Sequence, residues 1–347
     1  MTAYFSTFIT GLQEVVKSAL DNQISDVEIG TIFDGLIMFQ SDRPIQRIKS
    51  LRFLNNTFLL LHLFTPKEKT LSNKPIEDMM NAILKKPALI PGVPRWAIKD
   101  AKSFRIIASI ENQTVSVDND LLTKIERFFA YRLKLKTNRS RPDIEVWFIE
   151  RSEGYGFIGI RLKHAQNVEK VLQKGELRPE LAHMLCYMSE PKKDDVFLDP
   201  FAGSGAIPIE RAVSFPFKQV IASEGDIRTF ERLKKRASET KLNITLGQWD
   251  ALNLTSIPDN SVKKIVTDPP WGIFSQLDID LKVFYFDMLN EFVRILQKDG
   301  LIIIVMGQKD LFEKALNKLT TLTLTEKYDI LVSGKKAAIY KMRQNYP

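Results

Sequence analysis

The chain has 347 residues, of which 44% are hydrophobic and 27% charged, and a net charge of +8. That length holds two or three domains, and the apolar share suffices for ordinary cores, which excludes a disordered polypeptide. The single cysteine, Cys186, excludes an internal disulfide; the three scattered histidines, His62, His164 and His183, give no zinc spacing.

The longest apolar run, residues 58–64, is too short to span a bilayer. The opening "MTAYFSTFIT" lacks the basic and then apolar pattern of a signal peptide. A cytoplasmic protein with no membrane partner and no metal is therefore expected. Its charge is uneven. Residues 51–165 hold 20 Lys/Arg against 12 Asp/Glu, whereas 1–50 sum to −2 and 166–347 to +2. A surplus confined to the middle of the chain suggests a surface for a polyanion.

In chain order, "YFSTFI" reads as a strand and "GLQEVVKSALDN" as a helix with Leu12, Val15, Val16 and Leu20 on one face. "VEIGTI" and "GLIMFQ" read as a hairpin around Asp34 and Gly35. "PIQRIKSLRF" reads as a second helix and "NNTFLLLHLF" as a strand. This β-α-β-β-α-β order predicts a ferredoxin-like module over 1–65. Residues 66–165 read as an α+β module. A short helix, "IEDMMNAILKK", precedes the strand "SFRIIASI" and a long helix opened by Asp118 or Asp120. Two strands, "DIEVWFIE" and "YGFIGIRL", close the module. At the end of the long helix, Arg132, Lys134, Lys136, Arg139 and Arg141 are the best candidates for phosphate contacts.

Residues 166–190 read as a linker carrying the helix "PELAHMLCYMSE". Residues 191–347 change rhythm. Seven strand-like runs follow, the first five separated by helical text and the last two joined at Ser333, Gly334 and Lys335. The fold class is α/β: a doubly wound sheet that ends in an antiparallel strand.

In such sheets ligands bind beyond the carboxyl ends of the strands. The first strand ends at Asp199, and Pro200, Phe201, Ala202, Gly203, Ser204 and Gly205 follow before a helix. Glycines there let a ligand approach the backbone, but no Walker lysine follows. The second strand ends at Glu224, where an acid can bind ribose hydroxyls, and the third at Trp249, Asp250 and Ala251. The fourth ends in Asp268, Pro269, Pro270, Trp271 and Gly272. Asp268 and the Pro269 carbonyl offer two acceptors to a planar amino group, Pro270 stiffens the exit, and Trp271 offers a face on which a base can stack.

These motifs resemble the S-adenosylmethionine-dependent amino-methyltransferases. "DPFAGSG" is similar to their methionine loop, Glu224 to the ribose acid, Asp250 to the adenine-side acid and "DPPWG" to their [DNS]-PP-[YFW] motif. "GELRPELA", with Leu177 and Arg178, resembles the segment that closes over the cofactor. The N-terminal half, in "TGLQEV" and "RPDIEVWFIERSEGYGFIGIRL", resembles the ferredoxin-like and THUMP modules of tRNA guanine-N2 methyltransferases. The resemblance implies S-adenosyl-L-methionine as cofactor, with Asp199, Phe201, Ala202, Gly203, Ser204, Gly205, Glu224, Asp250, Ala251, Leu177 and Arg178 around it. It implies a catalytic group of Asp268, Pro269, Pro270 and Trp271 acting on the N2 amine of a guanosine in the tRNA acceptor stem or nearby junction; a monomer is expected. Trp271 stands where that family often has Tyr or Phe and is familiar from adenine-N6 enzymes. Adenine-N6 and rRNA guanine-N2 therefore stay open as alternative targets. An RNA-binding module with an inactive methyltransferase half is the alternative of another class.

Overall fold

The computed structural model describes residues 1–66, 73–163, 176–272, 280–332 and 334–345. His164, Gly175 and Ser333, all named above, lie outside them. Two compact units are present, and neither follows chain order. One takes Met1–Thr7, Ile24–Leu51 and Asn56–Gln166; the other takes Phe8–Gln23, Arg52–Asn55 and Asn167–Pro347.

The first unit is built on one mixed sheet. Glu28–Phe33, Leu36–Ser41, Thr2–Thr7 and Asn56–Phe64 are antiparallel neighbours in that order. Gly35 closes the hairpin at φ +81°. The sheet continues from Asn56–Phe64 into Gly156–Lys163, Ile144–Glu150 and Ser103–Ile110, so strands from 1–65 and 66–165 share one ladder. Gly159 makes this join possible: a Cβ there would sit 2.6 Å from the Phe5 ring, which stacks on Phe58 with centroids 4.6 Å apart. The long helix, Asn119–Leu133, starts where Asp118 accepts a 3.0 Å bond from the Leu121 N–H. The second expected helix is a single turn, Ile45–Lys49. Ser50 ends it by donating its hydroxyl to the Arg47 carbonyl at 2.8 Å.

The second unit carries a seven-stranded sheet. Its order is Ile244–Gly247, Gln219–Ser223, Val196–Asp199, Val262–Thr267, Leu296–Met306, Lys335–Gln344, Leu322–Val332. The first five strands are parallel; Lys335–Gln344 runs antiparallel to them, and Leu322–Val332, antiparallel to Lys335–Gln344, runs with the first five, which makes a doubly wound α/β sheet with one reversed strand. Residues 301–306 are fully buried, as a central strand covered on both faces requires. The helix Leu281–Ile295 places Tyr285, Met288, Leu289 and Phe292 against Leu198, Ile265 and Ile302. Their i, i+3, i+4, i+7 spacing makes one stripe, and each buried side chain stabilises by about 1.5–3 kcal/mol. The chain order of strands reverses between Val196–Asp199 and Val262–Thr267, and a crevice opens at such a switch point.

Candidate active site

The site begins at that switch point. Asp199 ends the first strand and is 1% exposed. Its Oδ1 accepts the Thr267 hydroxyl at 2.7 Å and the Phe201 N–H at 3.2 Å, while its Oδ2 is buried with no hydrogen-bond partner. Burial pushes the carboxyl up to about 8, against the pull of those two donors; the charges of Asp268 and Glu224 add to the rise. A buried polar oxygen without a partner is costly, and burial of this kind favours the protonated carboxyl.

The loop after Asp199 turns through Gly203, at φ +54°, and Gly205, at φ +92°. Gly205 caps the helix Ala206–Ser214, and a Cβ there would lie 2.8 Å from Leu233 Cδ1. The glycines were expected to let a ligand approach the backbone. The Gly203 N–H donates to Glu224 Oε2 at 3.0 Å, and Asp226 N–H to Oε1 at 3.0 Å. Glu224 thus fastens the loop and keeps lone pairs on both oxygens.

The third strand was expected to run to Trp249 and Asp250; it ends at Gly247. The reason is steric. The Trp249 indole folds back over Gly247, where a Cβ would fall 2.3 Å from the ring. Asp250 is exposed, its Oδ1 accepting the Leu252 N–H at 3.0 Å, and Ala251 is buried.

A cavity of about 420 Å³ gathers these ends. Phe201, Glu224, Asp250, Ala251 and Pro270, all expected, line it together with Pro200, Gly225, Gln248 and Trp249, which the sequence reading had not assigned. Trp249 was legible as an aromatic beside an acid; its wall position depends on the fold-back over Gly247.

The fourth strand stops at Thr267. Asp268 Oδ1 accepts the Trp271 indole N–H at 2.9 Å, so that ring also orients the carboxylate and is more than a stacking face. Asp268 is partly accessible yet enclosed on most sides. That enclosure pushes its carboxyl up to about 7, with the indole N–H pulling down. The Pro270 carbonyl accepts the Tyr285 hydroxyl at 3.0 Å, and burial raises that phenol to about 12, keeping it a donor. Gly307, at the end of the fifth strand, leaves room for Trp271: a Cβ there would lie 2.3 Å from the ring. Gly307 stood unremarked at the end of "LIIIVMG".

Leu177 is buried, and Arg178 precedes the helix Pro179–Met188 and pairs with Glu180 at 3.6 Å. Ser204 bonds to Glu176 at 2.9 Å, one residue before Leu177.

In the first unit the five basic residues are all exposed, but two are engaged. Arg139 makes a two-pronged pair with Glu126 at 2.8 Å, and Arg132 donates to the Ile90 carbonyl. Lys134 caps the helix at φ +58° and Lys136 lies on the short strand Lys136–Thr137. No group of His, Cys, Asp and Glu among the described residues could hold a metal.

Residues 167–335 match the family model described as UPF0020: RMKL-like, methyltransferase domain. Over 389 aligned residues, 97% of this chain and 98% of the relative, the chain is 21% identical to a tRNA (guanine(6)-N2)-methyltransferase of Methanocaldococcus jannaschii. It is 25% identical over 247 residues, 69% of this chain and 72% of the relative, to the Thermus thermophilus protein of the same description. The crystal structure of TrmN from Thermus thermophilus superposes with a TM-score of 0.77 at 19% identity, covering 99% of this chain and 100% of that one.

Proposed function

We propose that this S-adenosylmethionine-dependent methyltransferase methylates the exocyclic N2 of a guanosine in tRNA, at position 6. The observation that carries the reading is the span of the likeness. The Methanocaldococcus relative aligns over 97% of this chain, so the N-terminal half is included in the likeness as well as residues 167–335.

The residues present fit the cofactor. Asp199 Oδ2 is a buried oxygen without a partner inside the chain, and Glu224, for a ribose, lines the cavity together with Trp249 and Asp250. The cofactor, when bound, supplies an electrophilic methyl group on a sulfonium. The chain's own residues supply placement. Asp268 and the Pro269 carbonyl accept the two N–H groups of the target amine, which draws its lone pair out of the ring and stabilises the positive charge that develops. Trp271 fixes Asp268 through Oδ1, leaving Oδ2 for the amine. Tyr285 holds Pro270, so the rim of the cavity stays in place. A base in the acceptor stem must leave its stack to reach Asp268. Its phosphates are met by Lys134, Lys136 and Arg141, with Arg132 and Arg139 placed by their internal partners.

The test is methyl transfer from labelled cofactor to unmodified total tRNA, with rRNA and DNA in parallel, followed by nucleoside mass spectrometry and fragment mapping. N2-methylguanosine at position 6 is the expected product. N6-methyladenosine would overturn the base assignment, and a product on rRNA alone would overturn the tRNA assignment.

A further inference from the structure

Arg236 lies on the helix Ile227–Thr240 and is not itself among the residues expected to touch the cofactor. Its Nη1 donates to Glu176 Oε1 at 2.5 Å and to Ser204 Oγ at 2.9 Å. Ser204 Oγ in turn donates to the same Glu176 oxygen at 2.9 Å, and Arg236 Nη1 reaches the Ser204 carbonyl at 3.5 Å. Three elements distant in sequence therefore meet at one carboxylate oxygen. They are the segment that carries Leu177 and Arg178, the glycine loop, and a helix that reaches the cavity only through its N-terminal neighbour Gly225.

We infer that Arg236 is a positioning residue for the cofactor: it clasps the 176–178 segment to the loop 203–205. The inference rests on the cofactor reading above, and its residues are not part of the proposed methyl-transfer group. The guanidinium is 40% exposed and Glu176 19%, so the pair adds little to global stability. Its effect lies in where it acts. The loop bears on the cavity through Gly203, whose N–H holds the cavity-lining Glu224, and a loop that is competent only part of the time weakens affinity by that fraction. Ser204 alone cannot replace the clasp, since its hydroxyl joins the segment through one neutral donor, whereas Arg236 adds a charge-assisted one.

Arg236→Ala and Arg236→Lys are purified as full chains, with thermal melting as a check on folding. S-adenosylhomocysteine binding is measured by calorimetry, and amide hydrogen exchange in residues 176–178 and 203–205 is measured without cofactor. Arg236→Ala should weaken binding about tenfold or more while kcat at saturating cofactor stays near wild type, as a loss of the competent loop population requires. Exchange should rise in both segments with little change in melting temperature, and Arg236→Lys, which keeps the charge without the planar fork, should recover part of the affinity. Unchanged affinity and unchanged exchange would overturn the clasp, as would a loss of kcat with KM for cofactor intact. If Arg236→Ala melts far lower, Glu176→Gln, which keeps the acceptor and removes the charge, decides by the same two measurements. Failure of the wild-type chain to bind S-adenosylhomocysteine would overturn the cofactor reading itself, a result separate from either outcome.

Discussion

On the proposed function, Asp268 is the residue on which most of the chemistry turns. Asp268→Ala removes an acceptor aimed at the reacting amine, and kcat should fall by about 10²–10³-fold, as when one preorganised hydrogen-bonding group is deleted elsewhere. Cofactor affinity should change little, and calorimetry checks that. Asp268→Asn keeps a carbonyl acceptor and cannot ionise. The wild-type carboxyl is raised to about 7, so kcat/KM should climb as pH passes that value, and the Asn variant should lack this limb. Stability runs the other way. Asp199 and Asp268 bind protons more tightly in the folded chain than at the ordinary 3.8, so their contribution is full below that value and is lost as pH rises through about 7 and 8. Thermal melting of the cofactor-free protein should therefore show Asp268→Asn gaining on wild type as pH rises from about 5 to about 8. Trp271→Phe keeps an aromatic face but deletes the N–H that lowers Asp268. Its kcat/KM limb should move to higher pH, and an unmoved limb would leave Trp271 only as a stacking face.

At the scale of elements, the strand ends do the placing. Gly307→Ala puts a methyl against the Trp271 ring, which has to tilt and release Asp268. A displacement of about 1 Å in a reacting group can cost on the order of 10²-fold, and a loss of that size in kcat/KM with little change in melting temperature is expected. The sequence made the strands and their order legible because central strands read as plain apolar runs and the acids stand at their ends. Glu224, Asp250 and Pro270 were found in this way, and all three line the cavity. Trp249, Gly307 and Arg236 were not. Each acts through a contact with residues far away or through a local fold-back, and neither leaves a periodic trace in the text. The third strand's early stop has the same cause: "NITLGQWD" has strand-like composition to its end, but the Trp249 ring needs the space over Gly247.

For the whole molecule, the charge distribution matters more than any one contact. The surplus in residues 51–165 includes the five cations around the end of Asn119–Leu133, and Lys134, Lys136 and Arg141 there are exposed. Replacing these three with Ala should weaken tRNA binding and lower the slope of log affinity against log salt by about two to three, since each phosphate contact contributes roughly 0.7–0.9. Filter binding at several salt concentrations checks this, and an unchanged slope would remove the patch from the interface. Binding of S-adenosylhomocysteine should be untouched.

The discontinuity of the second unit has a consequence for synthesis. Gly11 runs so close to the strand Leu322–Val332 that a Cβ would lie 1.9 Å from the Asp329 carbonyl oxygen. Asn22 of the same segment donates to the Tyr187 hydroxyl at 2.7 Å, and Arg52 pairs with the buried Glu210. Residues 8–23 leave the ribosome roughly 300 residues ahead of their partner at Asp329. At roughly 5–20 residues per second that is a delay on the order of tens of seconds, during which Val15, Val16, Ala19 and Leu20 have no finished surface to bury against. The nascent chain must therefore shelter an apolar helix until the strand that holds Asp329 has been made. A gene fragment that begins at residue 191 would make the catalytic sheet without the two N-terminal pieces that complete it.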